Sequence, residues 1–201
     1  MKKDLKPVHL IHLLLYSPTA TGKKPVPILG RTRLMKMVFI FEKELSHFFQ
    51  NENKPMDFNF EAYNFGPYSK KVYEAIDFLE TREIIRLFPV SPPNSVDREE
   101  MELDRRLMEE EAEVLGLQNE DIFISEGFEL TENGKKMMTN RDIWFSWAEL
   151  SDDRRKVLEK FKTKMVNTTL KDILKYVYTK YPKYAEKSLI YHTLFSEGVF
   201  K

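Results

Sequence analysis

Apolar residues recur along this chain with two periods, and the switches between them outline its elements. Val8, Ile11, Leu14 and Leu15 follow helical spacing just after Pro7. Proline suits the first turn of a helix, because its missing N–H has no partner to lose there. Ser17-Pro18 ends that segment, and Thr19 to Gly30, with Gly22, Pro25 and Pro27 among polar residues, reads as a surface loop. From about Thr32 to Gln50, Leu34, Met37, Val38, Phe41, Leu45 and Phe48 fall on one side of a long helix. Phe39 and Ile40 widen that side, which predicts a central helix, with Arg31, Arg33, Lys36 and Lys43 off the main stripe. The period then drops to two. Asp57 to Tyr63 alternates and predicts a strand with one buried face. Gly66-Pro67 predicts a turn, and Ser69 an N-cap for a helix from Tyr68 to Glu80 with Val72, Ala75, Ile76 and Leu79 inside.

Ile84 to Phe88 predicts a short strand, and the proline-rich run from Pro89 to Asn94 interrupts the pattern. Asp97 to Leu115 is Glu-rich with scattered apolar residues, and predicts either an exposed helix or a partly disordered insertion. Ile122-Phe123-Ile124 and Phe128 to Leu130 return to strand character, and Thr131 caps a further helix. The last third is helical. Ser151 opens a helix lined by Val157, Leu158, Phe161 and Met165, and Thr168-Thr169 opens another lined by Leu170, Ile173, Leu174 and Val177. Pro182 ends it. Helix, short strand, detour, second strand and Thr-capped helix is the order of a winged helix. The expected fold class is therefore α+β, mostly α. A winged-helix-like domain spans residues 1–140, with an acidic insertion at about 89–121. A helical C-terminal region, 141–201, packs on it through Trp144 and Trp147.

Composition narrows the class. The 201 residues are 42% hydrophobic and 32% charged, the balance of a soluble globular protein, and no apolar run approaches a membrane span. Met1-Lys2-Lys3 before Val8–Leu15 mimics a signal peptide only faintly, since His9 and His12 interrupt the apolar stretch. The absence of cysteine excludes disulfides and thiolate metal sites and fits a reducing cytoplasm. The net charge of +0 hides an asymmetry: residues 1–50 are basic, 97–132 strongly acidic, and the chain from Arg154 onward basic again. Such separation can steer an anionic partner, or can be three independent solvated surfaces.

Candidate binding residues follow from that charge. Tyr68, Ser69, Lys70 and Lys71 would open a recognition helix, where lysines meet phosphates, but Glu74, Asp77 and Glu80 on the same helix would repel a nucleic-acid backbone. Arg31, Arg33 and Lys36 form a second candidate phosphate cluster, or a solvated helix start. Lys171, Lys175 and Tyr178 mix bases with an aromatic, as single-strand surfaces do, or form a plain amphipathic helix. The acidic stretch, with Glu109, Glu110 and Glu111, is a candidate protein contact or an internally paired helix with Arg105 and Arg106. His9-x-x-His12 has ligand spacing with no third ligand nearby, so no metal and no cofactor are expected. Phosphate-loop, nucleophile-elbow and zinc-protease motifs are absent, and no catalytic residue is assigned.

Three segments carry a resemblance: Gly30-Arg31-Thr32-Arg33-Leu34-Met35-Lys36, Phe65-Gly66-Pro67-Tyr68-Ser69-Lys70, and the run from Leu170 to Tyr178. They resemble the YwgA-like family of small prokaryotic proteins over most of the chain. More distantly, the order from Pro7 to Met138 is similar to the SocA or Panacea antitoxin domain. The first family implies no activity. The second implies a cytoplasmic protein that binds a partner, a toxin or effector encoded nearby, and regulates its operon. The acidic insertion departs from a compact wing. Two functions are therefore expected: a non-enzymatic antitoxin-like or regulatory binding protein, and, as the alternative, a transcriptional regulator of duplex DNA.

Overall fold

The computed structural model describes residues 4–20, 22, 24–49, 56–90, 102–107, 126–143 and 145–195. It is α+β, with helices around small antiparallel sheets. Helix α1 (Pro7–Tyr16) begins with its proline in the first turn, as expected. Its burial is wider than the stripe suggested: Leu10, Ile11, Leu13 and Leu14 are all inaccessible to solvent. Packing explains this, because α3, α5, α6 and strand β5 all close on α1.

Strand β1 (Ile28–Leu29) lies inside the stretch expected to be loop. Two residues are too few for a period to show. They are recruited by β5, with Ile28 opposite Phe128. Helix α2 (Arg31–Glu44) starts one residue early and stops short of Gln50, giving way to a 3-10 turn at Ser46–Phe48. Gly30 precedes it with φ 89° and offers no capping side chain. The cap comes from elsewhere. Asp104, in the helical residues 102–107 (α4), accepts the Thr32 amide at 3.0 Å.

The Asp57–Tyr63 strand shortens to β2 (Glu61–Tyr63). Asn59 adopts φ 58°, which breaks the extended run. The Phe58 amide goes to the Glu42 carboxylate instead of a neighbouring strand. Gly66-Pro67 is not the turn but part of β3 (Gly66–Tyr68), which pairs with β2 around Asn64-Phe65. Alternation alone could not reveal that side chains, not a ladder, take the backbone groups of Phe58.

Helix α3 (Lys70–Thr81) buries Val72, Ala75, Ile76 and Leu79, the expected stripe. Strand β4 (Ile85–Pro89) pairs antiparallel with β5 (Glu126–Leu130), so the sheet order is β1-β5-β4. Helix α5 (Glu132–Thr139) is capped by Thr131, which accepts the Gly134 amide and donates to the Glu83 carbonyl at 2.6 Å. Helices α6 (Asp152–Val166) and α7 (Leu170–Lys180) carry the expected caps, Ser151 and Thr169. A 3-10 turn at Pro182–Tyr184 and α8 (Tyr191–Phe195) follow.

The C-terminal helices join the rest mainly through α2. Phe39 packs edge-on against Tyr181 and Tyr184, with ring centroids 5.1 and 4.8 Å away, and Phe41 against Phe161. Trp147 is half-buried against Tyr16, while Trp144 lies outside the described residues. Lys162 completes the seam. It is fully buried, and its ammonium donates to the carbonyls of Leu15, Ser17 and Val26 at 3.3, 2.9 and 2.7 Å. Burial pushes its pKa down to about 7, but three acceptors match the three N–H donors of the charged form.

Lys162→Met should leave three interior carbonyls without a donor and lower the unfolding free energy by about 3 kcal/mol, read from urea denaturation. His12 should give the fold a pH dependence. Its Nε2 lies 2.9 Å from the Gly134 carbonyl, and burial lowers its pKa from 6.5 to about 4. The unfolded chain therefore takes up a proton that the folded chain excludes. This contribution is complete above pH 6.5 and is lost as pH falls toward 4. It amounts to about 3 kcal/mol at most. The His12→Gln variant should show a flatter acid limb in urea midpoints measured across that window.

Candidate interaction surface

The region around the start of α3 is built on a glycine. Gly66 has φ 88°, and a Cβ there would lie 2.5 Å from the Tyr178 ring. The β2–β3 hairpin can therefore settle directly on α7. From the other side the Lys36 ammonium reaches the Pro67 carbonyl at 3.0 Å. Clamped this way, the hairpin presents a row of tyrosines. Tyr68 lies 5.0 Å from Tyr63 and 5.4 Å from Tyr73, centroid to centroid, with ring planes tilted 34° and 38°. All three are half-buried.

Arg31 closes the end of the row. Its guanidinium sits 5.4 Å from the Tyr73 ring and 2.7 Å from a Glu126 carboxylate oxygen. Stacking and a charge-assisted bond together hold it in one orientation. Beneath the row, between hairpin and α2, the cleft is only about 20 Å³, room for roughly one water. A partner must therefore meet the tyrosines from outside.

The residues singled out from sequence separate into different roles. Tyr68 belongs to the row. Ser69 occupies the N-cap position of α3 but is wholly buried, and its hydroxyl donates to the Phe58 carbonyl at 2.5 Å rather than accepting a helix amide. Lys70 is exposed and lies 3.6 Å from Glu74, a pairing worth little in water. Lys71 is exposed and donates to the Asn59 side chain at 2.9 Å. Glu74, Asp77 and Glu80 share the exposed side of α3 with Phe78, so the lysines form no continuous basic face.

The Arg31–Arg33–Lys36 cluster is corrected. Arg33 and Lys36 are 6% and 3% exposed, not solvated. Arg33 donates to the carbonyls of Met165 and Thr168, at and just beyond the end of α6. A helix C-terminus has unsatisfied carbonyls and the negative end of the dipole, so a cation is favoured there. A signal for this existed. Apolar residues occur on every side of α2, and a helix buried all round must find internal acceptors for its cations.

The C-terminal stripe is also corrected. Tyr178 is 1% exposed and lies under the hairpin, with Ser188 donating to its hydroxyl and burial pushing its pKa up to about 12. Glu109, Glu110 and Glu111 lie outside the described residues. Of the neighbouring stretch, Glu102 pairs with Arg105 and Arg106 within α4, and Asp104 caps α2, its carboxyl pushed up by burial against the pull of Thr32. His9 and His12 do not converge: His9 Nδ1 accepts the Lys6 amide, and His12 turns to Gly134. Among the described residues no group of three or more His, Asp or Glu could hold a metal ion, and no helix is long and apolar enough to cross a membrane.

Sequence reasoning missed Tyr73 as a partner of Tyr68. The spacing of five, Tyr63, Tyr68 and Tyr73, was the available signal. Set against protein-family models, curated proteins and solved structures, the chain matches none of them.

Gly66→Ala should lower the unfolding free energy by about 2 kcal/mol or more, through both the positive φ and the clash with Tyr178. Urea denaturation checks it. Lys70→Glu, on an 80% exposed side chain, should change stability by less than about 0.5 kcal/mol in the same assay.

Proposed function

We propose that the chain is a non-enzymatic cytoplasmic binding protein of antitoxin or regulatory type, meeting a protein partner through Tyr63, Tyr68, Tyr73 and Arg31. The observation that carries this is the fixed tyrosine row ending in an oriented arginine. Tyrosine and arginine are over-represented among residues that dominate binding energy; tyrosine brings large contact area at a small entropy cost, and Arg31 is already held by Glu126 and Tyr73. The scaffold reading is a winged-helix-like domain. Its support is the order α1-β1-α2-α3-β4-β5 with sheet order β1-β5-β4. The β2–β3 hairpin between α2 and α3 and the long connection at 90–125 are departures from a minimal version. The resemblance to antitoxin domains supports a toxin or effector encoded nearby as the partner.

Binding of duplex DNA is the second reading, favoured by exposed Lys70 and Lys71 at the start of α3. The acidic residues beside them and the burial of Arg33 and Lys36 weigh against it.

The test is co-expression with the neighbouring gene product, followed by affinity measurement. Tyr68→Ala with Tyr73→Ala should weaken the complex by about 30-fold or more, as hot-spot truncations do. Lys70→Glu with Lys71→Glu should change it by less than about fivefold. Undiminished binding by the tyrosine variant would remove the row from the interface. Preference for the protein's own upstream DNA that persists from about 50 to 200 mM salt and is lost in the lysine variant would install the DNA reading instead.

A further inference from the structure

A second site lies on the far side of α2, where the 3-10 turn Ser46–Phe48 faces α6 and α7. The cavity measures about 470 Å³, within the range of small-molecule pockets. Its floor is apolar and well packed: Ile40, Phe161, Met165 and Ile173 are each 8% exposed or less. Its lip is apolar but wet, with Phe48 40% and Tyr176 37% exposed. Water held against such a floor finds few polar partners.

The charges around this groove do not balance. On one wall Glu44 is already engaged, accepting the hydroxyls of Tyr176 and Tyr181 at 2.6 and 3.0 Å and pairing with Lys180. Asp172 accepts the Thr169 hydroxyl at the cap of α7. On the other wall Lys160 and Lys164 stand one turn apart on α6, both exposed. Lys164 lies 5.8 Å from the Tyr176 ring, and among the described residues neither lysine has a carboxylate partner. With Glu44 paired to Lys180, Lys160 and Lys164 outweigh Asp172, which leaves the mouth net positive above an apolar floor.

We propose that this groove binds a free long-chain carboxylate, its alkyl chain on the Ile40–Phe161–Met165–Ile173 floor and its head between Lys160 and Lys164. An apolar chain gains from leaving water, and the head selects an anion over a neutral or cationic amphiphile of equal length. This site is separate from the tyrosine row and does not depend on the partner proposed for it.

Isothermal titration calorimetry with monomeric dodecanoate, dodecanol and dodecyltrimethylammonium tests the assignment. Dodecanoate should bind, with the alcohol and the cation at least about tenfold weaker, the free-energy equivalent of roughly two screened ion pairs, one to each lysine. Lys160→Glu with Lys164→Glu should weaken dodecanoate about tenfold or more without loss of fold, and Phe48→Asp, at the exposed lip, should do the same. Tyr68→Ala with Tyr73→Ala should leave dodecanoate binding unchanged. Absence of dodecanoate binding, equal affinity for dodecanol, or insensitivity to both groove variants would each overturn the proposal. Loss of the protein partner in Phe48→Asp, with no dodecanoate binding in the parent, would overturn it in favour of protein docking.

Discussion

Buried cations that donate to backbone carbonyls hold this structure together. Arg33 serves two carbonyls around the end of α6, Lys36 one in the hairpin, and Lys162 two around the end of α1 and one just before β1. In each case the charge lies far from its acceptors in sequence. Carbonyls at a helix C-terminus lack intrahelical donors and carry the negative end of the dipole, so a buried ammonium or guanidinium is better satisfied there than among apolar side chains. Each such contact is expensive to break, because both the charge and the carbonyls would be stranded. α1, α2, α6 and the hairpin are consequently bound into one arrangement rather than merely adjacent.

That arrangement decides what the surface offers. With Arg33 and Lys36 turned inward, the basic start of α2 shrinks to Arg31, and Arg31 is itself held by Glu126 and Tyr73. The hairpin, pinned by Lys36 on one side and seated on Tyr178 on the other, turns Tyr63 and Tyr68 toward Tyr73. The same helix on its other side, with α6 and α7, shapes an apolar groove edged by Lys160 and Lys164. Two surfaces of different chemistry thus share α2 as a wall. One is aromatic, the other apolar and edged by lysines.

Much of the fold was legible along the chain. α3, β4, the core of β5 and the caps Thr131, Ser151 and Thr169 were visible because each depends on local spacing or on a side chain within three residues of its target. The misses share a cause. β1 is too short to show a period, the cap of α2 arrives from Asp104 across the structure, and Asp57–Phe60 alternates without forming a ladder. Of the candidate site, Tyr68, Lys70 and Lys71 were readable as an exposed helix start, but their surroundings were not. Tyr178 and Arg33 looked like surface residues until α7 and α6 were placed against the hairpin and α2.

By itself the sequence determined the α+β class, the positions of most helices, the exclusion of thiol chemistry and the separation of charge along the chain. Those properties follow from periodicity and composition, which act over a few residues or over none. Only the tertiary structure decided which cations are buried, that three tyrosines form a row, and that a groove opens between α2, α6 and α7. These depend on which distant carbonyls and rings come into reach. A charged side chain has no intrinsic side of the molecule, and it goes where its donors can be satisfied.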